Sequence, residues 1–209
     1  GMDDREYKAF QEYKEMADKH NYLWESKGGT EEQKIIRDMA VFSAFGEGLQ
    51  LFGSFIMLLN FQRFGKMKGM GQIVAWSIRD ENHHVENMIK LLHTVLDEKP
   101  HIWNDKFKKS LYDICRDMVT LEEKFIDLAF EQGPVQGLTP QEVKNYIHYM
   151  ADRRLLQLGL KPNYGVKENP LEWVDYIVNG QAHENFFETR ATEYAKGAVQ
   201  GDRSEAFTS

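Results

Sequence analysis

Glu81 and His84 stand three residues apart in Arg79-Asp80-Glu81-Asn82-His83-His84-Val85-Glu86. On a helix that spacing projects both side chains from one face. A carboxylate beside a neutral imidazole is a donor set suited to iron or manganese, because the carboxylate balances charge and can bridge two hard ions. A Glu-x-x-His pair of this kind supplies part of a carboxylate-bridged two-metal site in helical bundles. The bland alternative is a solvated helix face, since charged helices often carry such a pair. Glu47 is the second residue of interest. It lies in Phe45-Gly46-Glu47-Gly48-Leu49-Gln50-Leu51-Phe52-Gly53-Ser54-Phe55-Ile56. A carboxylate in so apolar a segment is costly unless it is paired, protonated or bound to a metal. Its own alternatives are a locally exposed face or an arginine partner.

The elements that must position these residues are two long helices joined by a short turn. The first is expected over residues 30–64 and the second over 70–97, with Gly65-Lys66-Met67-Lys68-Gly69 between them. Glu47 precedes Lys66 by 19 residues and Glu81 follows it by 15. At about 1.5 Å per residue those arms measure about 28 Å and about 22 Å, so an antiparallel pair brings the two glutamates to similar depth. That arrangement is half of a two-metal site. The other half needs a further acidic residue and a second Glu-x-x-His on two more helices. Among the histidines, only His84 follows a glutamate by three within a helix, because Pro100 lies between Glu98 and His101. Glu6, Glu12 and Glu15 sit on an amphipathic first helix, none in surroundings as apolar as those of Glu47.

Helical periodicity covers nearly the whole chain and strand signals are nearly absent. A first helix is expected from Arg5 to Trp24. Thr30 with Gln33, and Thr139 with Glu142, have capping-box spacing. Further helices are expected over residues 104–132, 140–158 and 171–178. The chain reads as one helical domain over residues 1–209. Gly1 reads as a tag scar before the initiator Met2, and residues 197–209 as a flexible tail. Twenty-six basic against 33 acidic residues give a net charge of −7, which argues against nucleic acid and anionic membrane as partners. The most apolar stretch, residues 40–64, contains Glu47, Gln50, Asn60, Gln62 and Arg63, short of the roughly 18 uncharged apolar positions of a membrane span. One cysteine, Cys115, excludes an internal disulfide and any CxxC motif, and a cytoplasmic setting is expected. His20 and His148 read as surface or hydrogen-bonding residues, Cys115 as a partly buried thiol, Met57, Met67 and Met70 as core and turn packing. Tyr194 is left as a packing or redox residue.

The apolar segment around Glu47, the Arg79–His84 run and the 34-residue interval between the glutamates resemble the small, radical-generating subunit of class I ribonucleotide reductase. Ala151-Asp152-Arg153-Arg154-Leu155-Leu156-Gln157-Leu158-Gly159-Leu160, Asn169-Pro170-Leu171-Glu172-Trp173 and Asn185-Phe186-Phe187-Glu188-Thr189-Arg190 resemble later segments of that family. The resemblance implies an all-α, ferritin-like bundle, incomplete at its N-terminus. It implies that Glu47, Glu81 and His84 are ligands of a dinuclear iron or manganese centre. Asp80 would hydrogen-bond His84 on the radical-transfer route, and Leu51 and Phe55 would line the apolar pocket around the radical. Its partners would be a large reductase subunit and a second copy of the chain in a homodimer or other homo-oligomer.

The family's first acidic ligand, first Glu-x-x-His, radical-bearing tyrosine and docking tail have no counterpart that can be placed here. Tyr22 and Trp24 take none of those roles by position. The chain therefore reads as an N-terminally truncated form or fragment. Alone it is expected to bind metal weakly or not at all and to form no radical. A second chain supplying the missing helices is a possible partner. Two other readings compete: a non-catalytic helical remnant or interaction protein, and another ferritin-like metal oxidase or storage protein. Metal content together with oligomeric mass separates them.

Overall fold

Every regular element among the described residues is helical. The structure, a computed structural model, describes residues 13–25 and 29–180. In chain order these are α1 (Lys14–Trp24), α2 (Glu31–Ala40), a π-helical segment (Val41–Glu47), α3 (Phe52–Arg63), α4 (Lys68–Glu98), a 3-10 turn (Pro100–Ile102), α5 (Asp105–Glu131), α6 (Pro140–Gln157) and α7 (Glu172–Gly180). Glu6, Glu12, Tyr194 and the 197–209 tail fall outside the described residues.

Capping chemistry sets the starts. Thr30 Oγ1 accepts the Gln33 N–H at 3.3 Å while the Gln33 side chain accepts the Thr30 N–H, also at 3.3 Å. Thr139 and Glu142 repeat the exchange at 3.2 and 2.8 Å, with Pro140 opening the helix. Asn104 Oδ1 accepts the Phe107 N–H at 3.0 Å and starts α5. These side chains satisfy amide groups that the first turn of a helix leaves without partners.

The first arm of the central hairpin is not the continuous helix expected over residues 30–64. After Ala40 the backbone widens: Gly48 N–H bonds to Ser43 O at 2.9 Å and Gln50 N–H to Phe45 O at 3.0 Å, both five residues back. A break over residues 48–51 follows, and α3 begins at Phe52. Wide turns of this kind recur at functional sites. Here one ends on Glu47. The stretch Glu31–Arg63 is long and apolar enough to cross a membrane by composition, but 56% of its most apolar window is buried among the other helices, as a core helix would be. Gly65 (φ +71°) and Met67 (φ +46°) turn the chain into α4. Met67 is exposed there rather than packed.

The core lies between the hairpin and α5–α6. On α4 the buried positions are Gly71, Val74, Ala75, Ile78, Val85, Ile89, Leu92 and Leu96. That is a helical stripe with one turn missing between Ile78 and Val85, where Glu81 and Asn82 stand. The core also takes Phe45, Phe52, Ile56 and Leu59 from the first arm, and Leu111, Met118, Ile147 and Leu155 from α5 and α6. α1 rests on α5 and on the π segment.

Candidate metal centre

Glu47 reaches the site from the last residue of the π segment, and Glu81 from the interrupted stripe of α4. His84 lies one turn beyond Glu81. One ligand atom from each of the three falls within 4.8 Å of the others. His84 Nδ1 is 3.9 Å from Glu81 Oε2. That oxygen is buried and accepts no hydrogen bond. Burial raises the Glu81 carboxyl above its ordinary value of 4.5, the neighbouring charge of Glu47 and, more weakly, Asp80 add to the rise, and His84 opposes it. Two converging carboxylates with one orphaned buried oxygen form an electrostatically deficient group. A divalent cation supplies what is missing, so these residues fit the metal that the donor set implies.

The surroundings are wetter than the sequence led us to expect. Glu47 is half-buried, the Glu81 side chain is 23% exposed and that of His84 is 65% exposed. A cavity of about 430 Å³ opens beside Glu47, lined also by Leu23, Phe42, Gln50, Leu51 and Phe125. Leu51 lines it, but Phe55 does not. The Phe55 ring meets Phe52 edge-on at 5.8 Å and packs partly buried against the core. Asp80 is exposed and makes no hydrogen bond to His84, whose ring leans on Glu81 instead. Glu15 on α1 stays outside the group.

Three residues that the sequence reading passed over hold the backbone that follows Glu47. Buried Glu122, on α5, accepts the Gly53 N–H at 3.0 Å and pairs with Lys19. Lys19 also donates to the carbonyl of Gln50 at 2.8 Å. Arg154, buried on α6, donates from Nε to the carbonyl of Gly48 at 3.0 Å. Glu122 could have been noticed, since it replaces an apolar residue in the α5 stripe Met118, Val119, Glu122, Ile126.

The remaining candidates have ordinary structural roles. His148 shares a 2.8 Å hydrogen bond with Glu123 and stacks on Tyr164. Exposed His20 neighbours Trp24, whose ring meets Phe42 edge-on at 5.3 Å. Tyr22 donates to Asp117 at 2.7 Å. Cys115 is fully buried, which pushes its thiol up to about 12.

Comparison with known proteins identifies the family. The family model described as "Ribonucleotide reductase, small chain" matches residues 2–170. The chain is 44% identical over 218 residues to "Probable ribonucleoside-diphosphate reductase small subunit 048L" of Invertebrate iridescent virus 3, across 96% of this chain and 58% of that protein. It is 31% identical over 161 residues to the ribonucleoside-diphosphate reductase subunit beta of Chlamydia pneumoniae, across 77% of this chain and 46% of that one. Among solved structures, the ribonucleotide reductase R2 subunit from Clostridium botulinum superimposes with a TM-score of 0.76 at 22% identity, over 84% of this chain and 56% of that one, and so shows the shared ferritin-like fold. The chain thus spans about half to three-fifths of the length of these relatives. It belongs to the ribonucleotide reductase small-chain family.

Proposed function

We propose that this chain contributes one half of the dinuclear metal centre of a ribonucleoside-diphosphate reductase small subunit, the radical-generating partner in deoxyribonucleotide synthesis. The observation that carries the reading is the convergence of Glu47, Glu81 and His84 within 4.8 Å on two helices of a member of that family. Glu47 and Glu81 would hold the metal through carboxylate oxygens and His84 through a ring nitrogen. When bound, a pair of iron or manganese ions supplies the one-electron oxidation that makes a stable radical. The protein's contribution is geometric and electrostatic. The π segment aims Glu47 at α4, the gap in the α4 stripe admits Glu81, and the orphaned Glu81 oxygen is held ready for a cation. Leu51 and Phe42 keep an apolar wall beside Glu47.

Three ligands are fewer than two ions require, so a complete centre would need further carboxylates and a second Glu-x-x-His besides these three residues. By itself the chain binds a single ion weakly and sustains no radical. A large reductase subunit and a second copy of the chain are its partners on this reading, and its setting is the cytoplasm. Titration with Mn2+ followed by electron paramagnetic resonance tests it. Expected is loss of the free-ion signal at no more than one ion per chain, abolished by Glu81→Gln. Two tightly held ions per chain, or retention of binding in Glu81→Gln, would contradict it.

A further inference from the structure

Arg154 is among the largest fully buried side chains, yet its hydrogen-bond acceptors are all neutral. Nε donates to Gly48 O at 3.0 Å, Nη1 to Gln157 Oε1 at 2.9 Å and Nη2 to Asn82 Oδ1 at 2.6 Å. Burial lowers its pKa to about 10, which still leaves it charged at neutral pH. A buried guanidinium without a bonded carboxylate is a costly feature, and the choice of acceptors indicates its use. Gly48 follows Glu47 and Asn82 follows Glu81. One side chain therefore ties the backbone next to Glu47 to the side chain next to Glu81.

The local sequence is shaped to admit it. A β-carbon at Gly48 would lie 2.6 Å from Nε of Arg154 and 2.4 Å from the Ala44 carbonyl oxygen. Asn82 takes a place in the α4 stripe that an apolar residue would otherwise fill. The carbonyl that Arg154 holds belongs to a turn whose amides bond five residues back, an arrangement one residue out of register with an α-helix. Relaxation by one residue would swing Glu47 by about 100° around the helix axis.

We propose that Arg154 is a positioning residue for the metal centre, holding the π turn and α4 in the register at which Glu47 and Glu81 converge. This rests on reading Glu47, Glu81 and His84 as metal ligands. Its neighbour Asp152 supplies the contrast. Asp152 is also buried on α6, but it accepts the N–H groups of Asn163, Tyr164 and Val166 at 2.7, 2.9 and 2.9 Å, so it organises the following loop and touches neither glutamate arm.

The test compares Arg154→Met, Arg154→Lys and Asp152→Asn in the full chain, by hydrogen exchange on metal-free protein and by Mn2+ titration. In Arg154→Met, exchange at the Gly48 and Gln50 amides is expected to quicken by about tenfold or more. Mn2+ should bind roughly 10–100-fold more weakly. Arg154→Lys should restore part of both, and it carries the comparison if the methionine variant does not fold. Asp152→Asn should quicken exchange at Asn163, Tyr164 and Val166 and leave Mn2+ affinity near wild type. Unchanged exchange at Gly48 and Gln50 in the Arg154 variants would overturn the proposal. So would an equal loss of Mn2+ affinity in Asp152→Asn, which would mark the effect as general destabilisation. If the wild-type chain binds no Mn2+, the ligand reading itself fails. The exchange data then decide the clamp alone.

Discussion

The carboxylate of Glu122 caps α3 from 69 residues away, accepting the Gly53 N–H at 3.0 Å. Leu51, at the N-terminal boundary of α3, offers no side-chain acceptor. Lys19 completes the splice by pairing with Glu122 and donating to Gln50 O, a carbonyl inside the break. An anion thus meets the amide end of α3, the favourable sense for a helix N-terminus, and a cation meets a carbonyl of the turn before it. The break after Glu47 is a built feature of the fold.

Stability should depend on pH through Glu122. Burial raises its carboxyl above the ordinary value of 4.5, against the opposing pulls of Lys19 and the Gly53 N–H. The folded chain therefore holds this proton more tightly than the unfolded chain. The stability contribution is full below 4.5 and is lost as pH rises through the folded value. Urea denaturation from about pH 4 to about pH 8 should show the advantage of wild type over Glu122→Gln shrinking as pH rises. An advantage that grows with pH would contradict this assignment.

Gly53 should not tolerate a side chain. A β-carbon there would lie 2.3 Å from Glu122 Oε1 and 3.3 Å from Ile126 Cγ1. Gly53→Ala is expected to cost about 1–3 kcal/mol. Gly69→Ala, with nothing within 4 Å of the added atom in the first turn of α4, should instead stabilise by about 0.5–1 kcal/mol. Equilibrium denaturation of the two variants checks the contrast, and similar effects in both would refute it.

Helical periodicity and caps carry much of the fold legibly. Thr30 and Thr139 mark starts because a short polar side chain three residues before Gln33 or Glu142 has few other uses. Glu47 stands out because it interrupts an apolar run, and Glu81 because His84 follows it by three. The π segment does not show in the residues around it, since Gly46 and Gly48 fit a loosely packed α-helix as well as a widened turn. The contacts of Arg154, Lys19 and Glu122 on the backbone that follows it join residues far apart in the chain. The charged run around His84 allows both a ligand and a solvated face, and its degree of exposure depends on which helices pack over α4.

Met67 occupies the left-handed region at φ +46° with its side chain largely in solvent. A β-carbon is strained there, and little packing is lost by removing it. Met67→Gly is expected to stabilise the hairpin by about 1 kcal/mol. A melting temperature at or below that of wild type would count against the turn geometry.

Cys115 should be chemically silent in the folded chain. Burial and the nearby charge of Asp152 push its thiol up to about 12, so the reactive thiolate is scarce at neutral pH. Labelling with a thiol reagent should be slow in buffer and complete in denaturant. Rapid labelling of the folded protein would show the α5 face to be open.

The central claim is that Glu47, Glu81 and His84 form one ligand group, and anomalous diffraction from Mn2+-soaked crystals tests it most directly. The account predicts one anomalous peak within coordination distance of all three side chains, about 2.0–2.3 Å from each ligand atom. Carboxylates of Glu47 and Glu81 lying more than about 8 Å apart, with no peak between them, would contradict it.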